Sequence, residues 1–226
     1  MAAALRVAFL GDSWMGEWYY GTVVPTPIAV SARAILQECL HHGVEMTVVA
    51  FPGCTAMHAL CFAEHCSVQD MAYWSSRGWS IRSTIAMYEQ EDRPVDDEVD
   101  LIVVMLGSND LEQGHEPLVV VRRLIEFQRL YAQRGKEVAF VTVGGAGPEH
   151  IEMWPDYEED RVETNRVFQD NVSPDVEVVD MDDLVAGLTP ELWIHGWHLH
   201  SEGLITVGRR LGEALTPLCA RLLEES

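Results

Sequence analysis

The sequence has no long hydrophobic run and little positive charge, and these absences exclude several classes of protein. No stretch approaches the roughly twenty apolar residues that a membrane-spanning helix needs, and Gly11 and Asp12 interrupt the first apolar run, which argues against a signal peptide. Fifteen Lys and Arg stand against 36 Asp and Glu, so the formal net charge is -21. Because such a field repels phosphate backbones and anionic lipids, we expect no nucleic-acid partner and no binding to anionic membranes. The lack of a long apolar run predicts no membrane span.

Cysteine is also scarce, and no repeat or low-complexity segment is present. The five cysteines form an odd set without an export signal, so we expect reduced thiols and a cytoplasmic protein. A chain of 226 residues is long enough to bury a core without disulfides, and we expect one domain over residues 1–226. The sequence does not indicate an oligomeric state.

Short apolar runs alternate with helical patterns along most of the chain. Because alternating strands and helices favour right-handed crossovers, they predict an α/β protein with a five-stranded parallel, flavodoxin-like sheet in a three-layer α/β/α sandwich. The predicted strands are residues 5–10, 44–51, 101–106, 137–143 and 176–179. The predicted helices are residues 26–42, a stretch from about 55, residues 117–134, 158–170 and a last helix from about 201.

Polar or small residues follow three of these strands. Ser13 follows the first, Gly53 the second and Asn109 the third, while His198 precedes the last helix. In open α/β sheets, ligands bind at the carboxyl ends of the strands, where these residues are expected to meet. A plainer interpretation is that Asp12 and Ser13 only cap the next helix or turn.

Taken in order, these motifs resemble the SGNH, or GDSL-type, hydrolase family over almost the whole chain. The resemblance implies that Ser13 is the nucleophile and His198 the general base. It also implies that Gly53 and Asn109 join the Ser13 backbone N–H as oxyanion donors. The expected activity is hydrolysis of a small carboxylic ester through an acyl-enzyme on Ser13, with no metal or organic cofactor. A carbohydrate deacetylase or a thioesterase would use the same residues.

Two positions depart from the family pattern. Trp14 replaces the usual Leu or Ile after the serine, and His195 stands where the family places an Asp that orients the general base. Three interpretations follow: a Ser13–His198 dyad with His195 as a weak orienting group, a carboxylate from elsewhere, or a catalytically impaired binding protein. The candidate carboxylates are Asp180, Asp182, Asp183 and Glu191.

Other clusters favour ordinary structural roles. Three imidazoles can hold zinc, but His195, His198 and His200 have no partnering carboxylate motif. Four residues with helical spacing span about 16 Å, too far to share one tetrahedral ion, so they predict a packed helix face with its histidines at the edge. These four are Cys54, His58, Cys61 and His65.

The glycines and aromatic residues near the strand ends raise two further hypotheses. The run of residues 144–147 lacks the glycine spacing of a dinucleotide site, and the loop after the first strand has too few hydroxyls for a flavin phosphate. The aromatic residues after Ser13 are either core residues or the wall of an apolar cleft for acyl or aryl esters. They are Trp14, Trp18, Tyr19 and Tyr20, with Trp74, Trp79 and Trp154 further along.

Overall fold

A computed structural model describes residues 4–19, 22–50, 53–63, 99–147, 151–152, 155–194, 196 and 198–225. The predicted loose region around residues 72–83, most of the acidic run 89–100 and the positions of His195 and His65 lie outside the described residues.

A parallel sheet of five strands forms the centre of the molecule, as predicted. Its order is β4–β1–β5–β6–β7, so the first strand in the chain is flanked by the second and third strands of this sheet. The three central strands are almost wholly buried, as expected for a parallel sheet covered on both faces, whereas the two edge strands are partly exposed. The five strands are β1 (Leu5–Gly11), β4 (Val44–Ala50), β5 (Leu101–Met105), β6 (Glu137–Val141) and β7 (Glu177–Val179).

The helices connect these strands and cover the sheet. The predicted helices 26–42, 117–134 and 158–170 are each shifted by only a few residues in the structure. The helices are α1 (Pro27–Leu40), α2 (Ala56–Ala63), α3 (Ser108–Glu112), α4 (Pro117–Gln133), α5 (Pro155–Asn171), α6 (Met181–Val185) and α7 (Ser201–Glu225).

Alternate residues of each strand face opposite layers, and this alternation divides the core in two. Leu10 and Val104 belong to the layer beneath α2, α4 and α5, whereas Phe9 and Val103 pack beneath α1 and α7. The apolar stripe predicted for the last helix is buried there as expected, and it comprises Leu204, Val207, Leu211, Leu215 and Leu218.

Helices α1 and α7 approach each other closely at two glycines. A Cβ added at Gly212 would lie 2.7 Å from the carbonyl oxygen of Ala32, and one added at Gly208 would clash with the carbonyl of Ile28. Only glycine permits this backbone approach. The helix after Ser13 and the helix after His198 are therefore held together along their lengths.

Several short elements differ from the sequence prediction. The expected aromatic loop 14–21 contains part of an antiparallel pair, β2 (Gly16–Tyr19) and β3 (Thr22–Pro25). A second pair, β8 (Trp193–Ile194) and β9 (His198–Leu199), follows a 3₁₀ turn. Strands this short carry too few alternating residues for a periodicity to be seen.

The described helices include none that is both long and apolar enough to cross a bilayer. Among the residues whose side chains are described, Cys39, Cys54 and Cys219 form no disulfide.

Candidate active site

Ser13 and His198 meet at the carboxyl edge of the sheet. Ser13 lies two residues beyond the end of β1, and His198 is the first residue of β9, just before α7. Ser13 Oγ and His198 Nε2 are 2.8 Å apart, a hydrogen bond between residues 185 positions apart in the chain. This contact is the one that a serine nucleophile and its general base require.

Asp12 is buried behind the serine and binds three groups. Its Oδ1 accepts from the backbone N–H of Trp14 at 3.0 Å, and its Oδ2 accepts from Ser108 Oγ at 2.7 Å and from Asn109 Nδ2 at 3.0 Å. The capping role considered for Asp12 is therefore present, but only as one of its contacts. Burial raises the pKa of Asp12 to about 6, although these hydrogen bonds favour the charged form.

Asn109 joins two loops through its side-chain amide. Nδ2 donates to Asp12 Oδ2 at 3.0 Å and to the Cys54 carbonyl at 3.1 Å. An amide nitrogen carries two hydrogens, so both are engaged by these acceptors. Asn109 is thus next to the serine loop, as expected, but it can donate to an oxyanion only if it gives up or shares one of these bonds.

Gly53 lies in the loop between β4 and α2. Its φ of 83° is in the left-handed region, which favours glycine. The Cys54 carbonyl that follows is the acceptor for Asn109, so this loop is bound to the same side chain that binds the serine loop. Three of the four predicted segments are thereby joined by short hydrogen bonds.

The position expected to orient His198 is occupied by His195, which lies outside the described residues. Among the carboxylates considered instead, Asp180 caps α6 and accepts from Thr142 Oγ1 at 3.0 Å. Asp182 binds Arg161 Nη1 at 2.9 Å. Asp183 is exposed. Glu191 accepts a hydrogen bond from Thr189, which lowers the pKa of this carboxyl. Asp180 and Asp182 are therefore already bound to other residues, which does not favour either of them as the group that orients His198.

Trp14 is a core residue in this structure. It is 5% exposed, and its ring meets Trp193 edge-on with centroids 6.3 Å apart. A Cβ added at Gly144 would lie 3.4 Å from the Trp14 ring. These contacts favour the core interpretation of Trp14 over a substrate-facing wall. A small cavity lies beside it, lined by Trp14, Met105, Leu106, Ser108, Thr142, Val143, Gly144 and Met181.

Side chains fill the surroundings of the glycine loop after β6. Tyr157 donates its hydroxyl to the Gly144 carbonyl at 3.1 Å, and Gly145 packs against Arg161. Gly147 packs against the Trp193 ring. Two backbone donors of this segment, which a phosphate would need, are already bound by protein groups: the Val143 N–H donates to Asn165 Oδ1 at 2.8 Å and the Gly147 N–H to the Gly196 carbonyl at 2.6 Å.

The residues considered as metal ligands have other contacts. His58 is buried, and its Nδ1 accepts from Thr55, at the start of α2, so it is not at the edge of its helix as predicted. Within the described ranges, no group of three or more His, Cys, Asp or Glu residues could hold a metal ion.

Sequence reasoning missed the roles of Ser108, Asp110 and Arg123. Asp110 is fully buried and binds Arg123 Nη1 at 3.0 Å, and its pKa is raised by burial to about 6. The sequence did contain a signal for such a role. Asp12 and Asp110 both follow strand ends beside apolar residues, and a buried carboxylate needs hydrogen-bond partners.

No protein-family model and no curated protein sequence matches the chain. Solved structures do match it. An aryl esterase of M. smegmatis is 17% identical, covers 95% of this chain and 100% of its own, and has a TM-score of 0.62. A carbohydrate acetylesterase family member from Sinorhizobium meliloti is 19% identical over 97% and 99%, with a TM-score of 0.61. A member of the lipolytic protein G-D-S-L family from Veillonella parvula DSM 2008 is 17% identical over 93% and 97%, with a TM-score of 0.58.

Proposed function

This chain has the SGNH hydrolase fold, and we propose that it is a serine hydrolase that cleaves a small carboxylic ester through an acyl-enzyme on Ser13. The observation that carries the proposal is the 2.8 Å contact between Ser13 Oγ and His198 Nε2. The structural neighbours named as an aryl esterase and as a carbohydrate acetylesterase family member support ester hydrolysis on this fold.

In the first half of the reaction, His198 Nε2 takes the proton of the Ser13 hydroxyl as Oγ attacks the ester carbonyl carbon. The carbonyl oxygen becomes an oxyanion in a tetrahedral intermediate. The bond to the leaving oxygen then breaks, and His198 returns the proton to the departing alcohol. The acyl group remains bonded to Ser13.

In the second half, water replaces the alcohol. His198 accepts a proton from water as the water oxygen attacks the acyl carbon, and the bond to Ser13 Oγ breaks as the serine regains its proton. His198 is exposed, so water can reach its ring. The products are a carboxylic acid and a free enzyme.

Backbone donors stabilise the oxyanion in this scheme. We assign the Ser13 and Gly53 N–H groups to this role, since one such donor is typically worth about 3 kcal/mol of barrier. Asn109 adds a third donor when one of its two bonds, to Asp12 or to Cys54, is shared with the oxyanion. We assign the orientation of the His198 ring to His195, which stands where the family pattern places an orienting Asp.

The test is turnover of p-nitrophenyl esters from acetate to long acyl chains by the wild type and by Ser13→Ala. We expect turnover by the wild type and no activity above background in the variant. Ser173→Ala is the matched control, because Ser173 is exposed and precedes β7 at the opposite edge of the sheet. We expect it to retain wild-type activity.

Labelling separates the hydrolase from its alternatives. A fluorophosphonate should modify Ser13 in the wild type with or without a chelator. Wild-type protein that turns over no oxygen ester, thioester or acetylated sugar would instead favour a binding protein on this fold. The best substrate in that panel identifies the preferred leaving group. A cytoplasmic location stays a prediction.

A further inference from the structure

The segment just after Gly53 is held in place by side chains from two other parts of the chain. Helix α2 begins at Ala56, three residues after Gly53. The Cys54 carbonyl accepts from Asn109, and the Ala56 N–H donates to Asp110 Oδ2 at 2.7 Å. The two peptides that flank Thr55, just after Gly53, are thus each held by a side chain from another part of the chain.

Thr55 and His58 close the same turn from within. The Thr55 N–H donates to His58 Nδ1 at 3.1 Å, and the His58 N–H donates to Thr55 Oγ1 at 3.3 Å. This reciprocal pair is a capping box in which histidine replaces the usual Glu or Gln at the third helical position. Since Nδ1 accepts a backbone hydrogen, the proton of the neutral ring is on Nε2.

The neutral state of His58 has a clear physical cause. Burial lowers the pKa of His58 to about 4, and the positive charge of Arg123 is the second largest cause of this shift. Nε2 has no hydrogen-bond partner among the described residues, so a second proton would leave a charge in a dry environment. His58 therefore acts as an acceptor that completes the cap.

Asp110 connects this cap to a helix outside the site. One carboxylate oxygen accepts from Ala56, while the other binds Arg123 Nη1 at 3.0 Å. Asp110 is fully buried, and the Arg123 side chain on α4 is 16% exposed. A buried carboxylate with one partner on each oxygen has a fixed orientation, and so does the N–H group that donates to it.

We infer that Asp110 and Arg123 are positioning residues for the backbone oxyanion donor at Gly53. Asp110 holds the start of α2 and Arg123 holds Asp110, so the turn that carries the Gly53 N–H is already in place before substrate arrives. This inference rests on the proposed ester hydrolysis. It differs from a purely structural ion pair, which would affect stability but not the transition state in particular.

The experiment compares Arg123→Met, Arg123→Lys and Asp110→Asn with the wild type on p-nitrophenyl acetate. The matched control is Arg129→Met, since Arg129 lies on the same helix in an exposed ion pair with Glu126. We expect kcat to fall by about 10- to 100-fold in Arg123→Met and Asp110→Asn, with KM within about twofold, because a misplaced donor weakens only the transition state. Arg123→Lys should recover most of kcat.

A transition-state analogue provides the readout that a structural role would not change. A trifluoromethyl ketone adds to Ser13 and puts an oxyanion where the donors point, so its affinity should fall in step with kcat in these variants. Far-ultraviolet circular dichroism and thermal unfolding check that each variant is folded. If Arg123→Met does not fold, the Asp110→Asn/Arg123→Met double variant, which buries no unpaired charge, replaces it.

The outcomes separate the two proposals. If the wild type hydrolyses no ester, the proposed function fails and this inference fails with it. If the wild type is active but the folded variants keep its kcat and analogue affinity, the inference alone is overturned. It is also overturned if kcat and KM change together, or if Arg129→Met loses as much activity as Arg123→Met.

Discussion

The two halves of the candidate site lie in opposite environments. The half that carries the nucleophile is built on Asp12, Asn109 and Asp110, which bind one another's loops through buried or part-buried hydrogen bonds. The half that carries the base is His198, an exposed side chain on a two-residue strand. Donors that buried carboxylates hold in place can act on a developing charge without reorganising, whereas a base that activates water needs access to water.

The largest effect should come from the exposed half. His198→Ala removes the general base, so we expect kcat to fall by about 10³- to 10⁴-fold. Because the side chain is exposed, the unfolding temperature should stay within about 2 °C of the wild type. His200→Ala, an exposed histidine two residues on, is the control and should keep full activity. A His198→Ala protein that hydrolyses esters normally would exclude this residue as the base.

The next largest effect tests the buried half. Asp12→Asn replaces one carboxylate oxygen by an amide nitrogen, which is a donor. This nitrogen faces either the Trp14 N–H or the Ser108 and Asn109 donors, so a hydrogen bond is lost in both orientations. We expect kcat to fall by about 10- to 100-fold and stability to fall by about 1–3 kcal/mol. Steady-state kinetics and urea unfolding measure both. Normal kinetics in a destabilised variant would show that the buried network supports the fold alone.

A third variant sharpens the description of the exposed half. His195→Asp places a carboxylate where the family pattern has one, and a carboxylate fixes the imidazole tautomer and stabilises the imidazolium better than a neutral ring. We expect kcat to rise by up to about tenfold. An unchanged rate, together with loss of activity in Asp182→Asn or Asp183→Asn, would assign the orienting role to one of those residues instead.

The last prediction concerns the pH dependence of stability, and it belongs to the buried half. Burial raises the pKa of Asp12 from 3.8 to about 6, and that of Asp110 likewise. Between these values the folded state keeps a proton that the unfolded state has lost, so the free energy of unfolding falls as pH rises from 4 to 6. His58, with its pKa lowered from 6.5 to about 4, opposes this trend.

Chemical denaturation at pH 4, 5, 6 and 7 measures this dependence. Because a tenfold change in proton affinity is worth about 1.4 kcal/mol, each carboxyl contributes at most about 3 kcal/mol. Asp12→Asn should flatten the fall, whereas Asp175→Asn, which changes an exposed carboxyl, should not. A steeper fall in Asp12→Asn would contradict the raised pKa.

The sequence could predict the frame of the site because local patterns determine it. Buried strands appear as apolar runs, and Ser13, Gly53 and Asn109 lie just beyond the ends of three of them. Their roles as nucleophile and oxyanion donors were implied by the resemblance to the SGNH family. The partners of Asp12 could not be read in this way, since they lie 96 and 97 positions away and depend on how the loops pack. The burial of Trp14 depends equally on Gly144 and Trp193, which are distant in sequence.

The close packing of α1 against Gly208 and Gly212 of α7 has a consequence for biosynthesis. These helices follow the serine and the imidazole respectively, and glycines let their backbones nearly touch. The proposed pair of Ser13 and His198 can therefore form only after the segment beyond residue 200 has been synthesised and α7 has packed against α1.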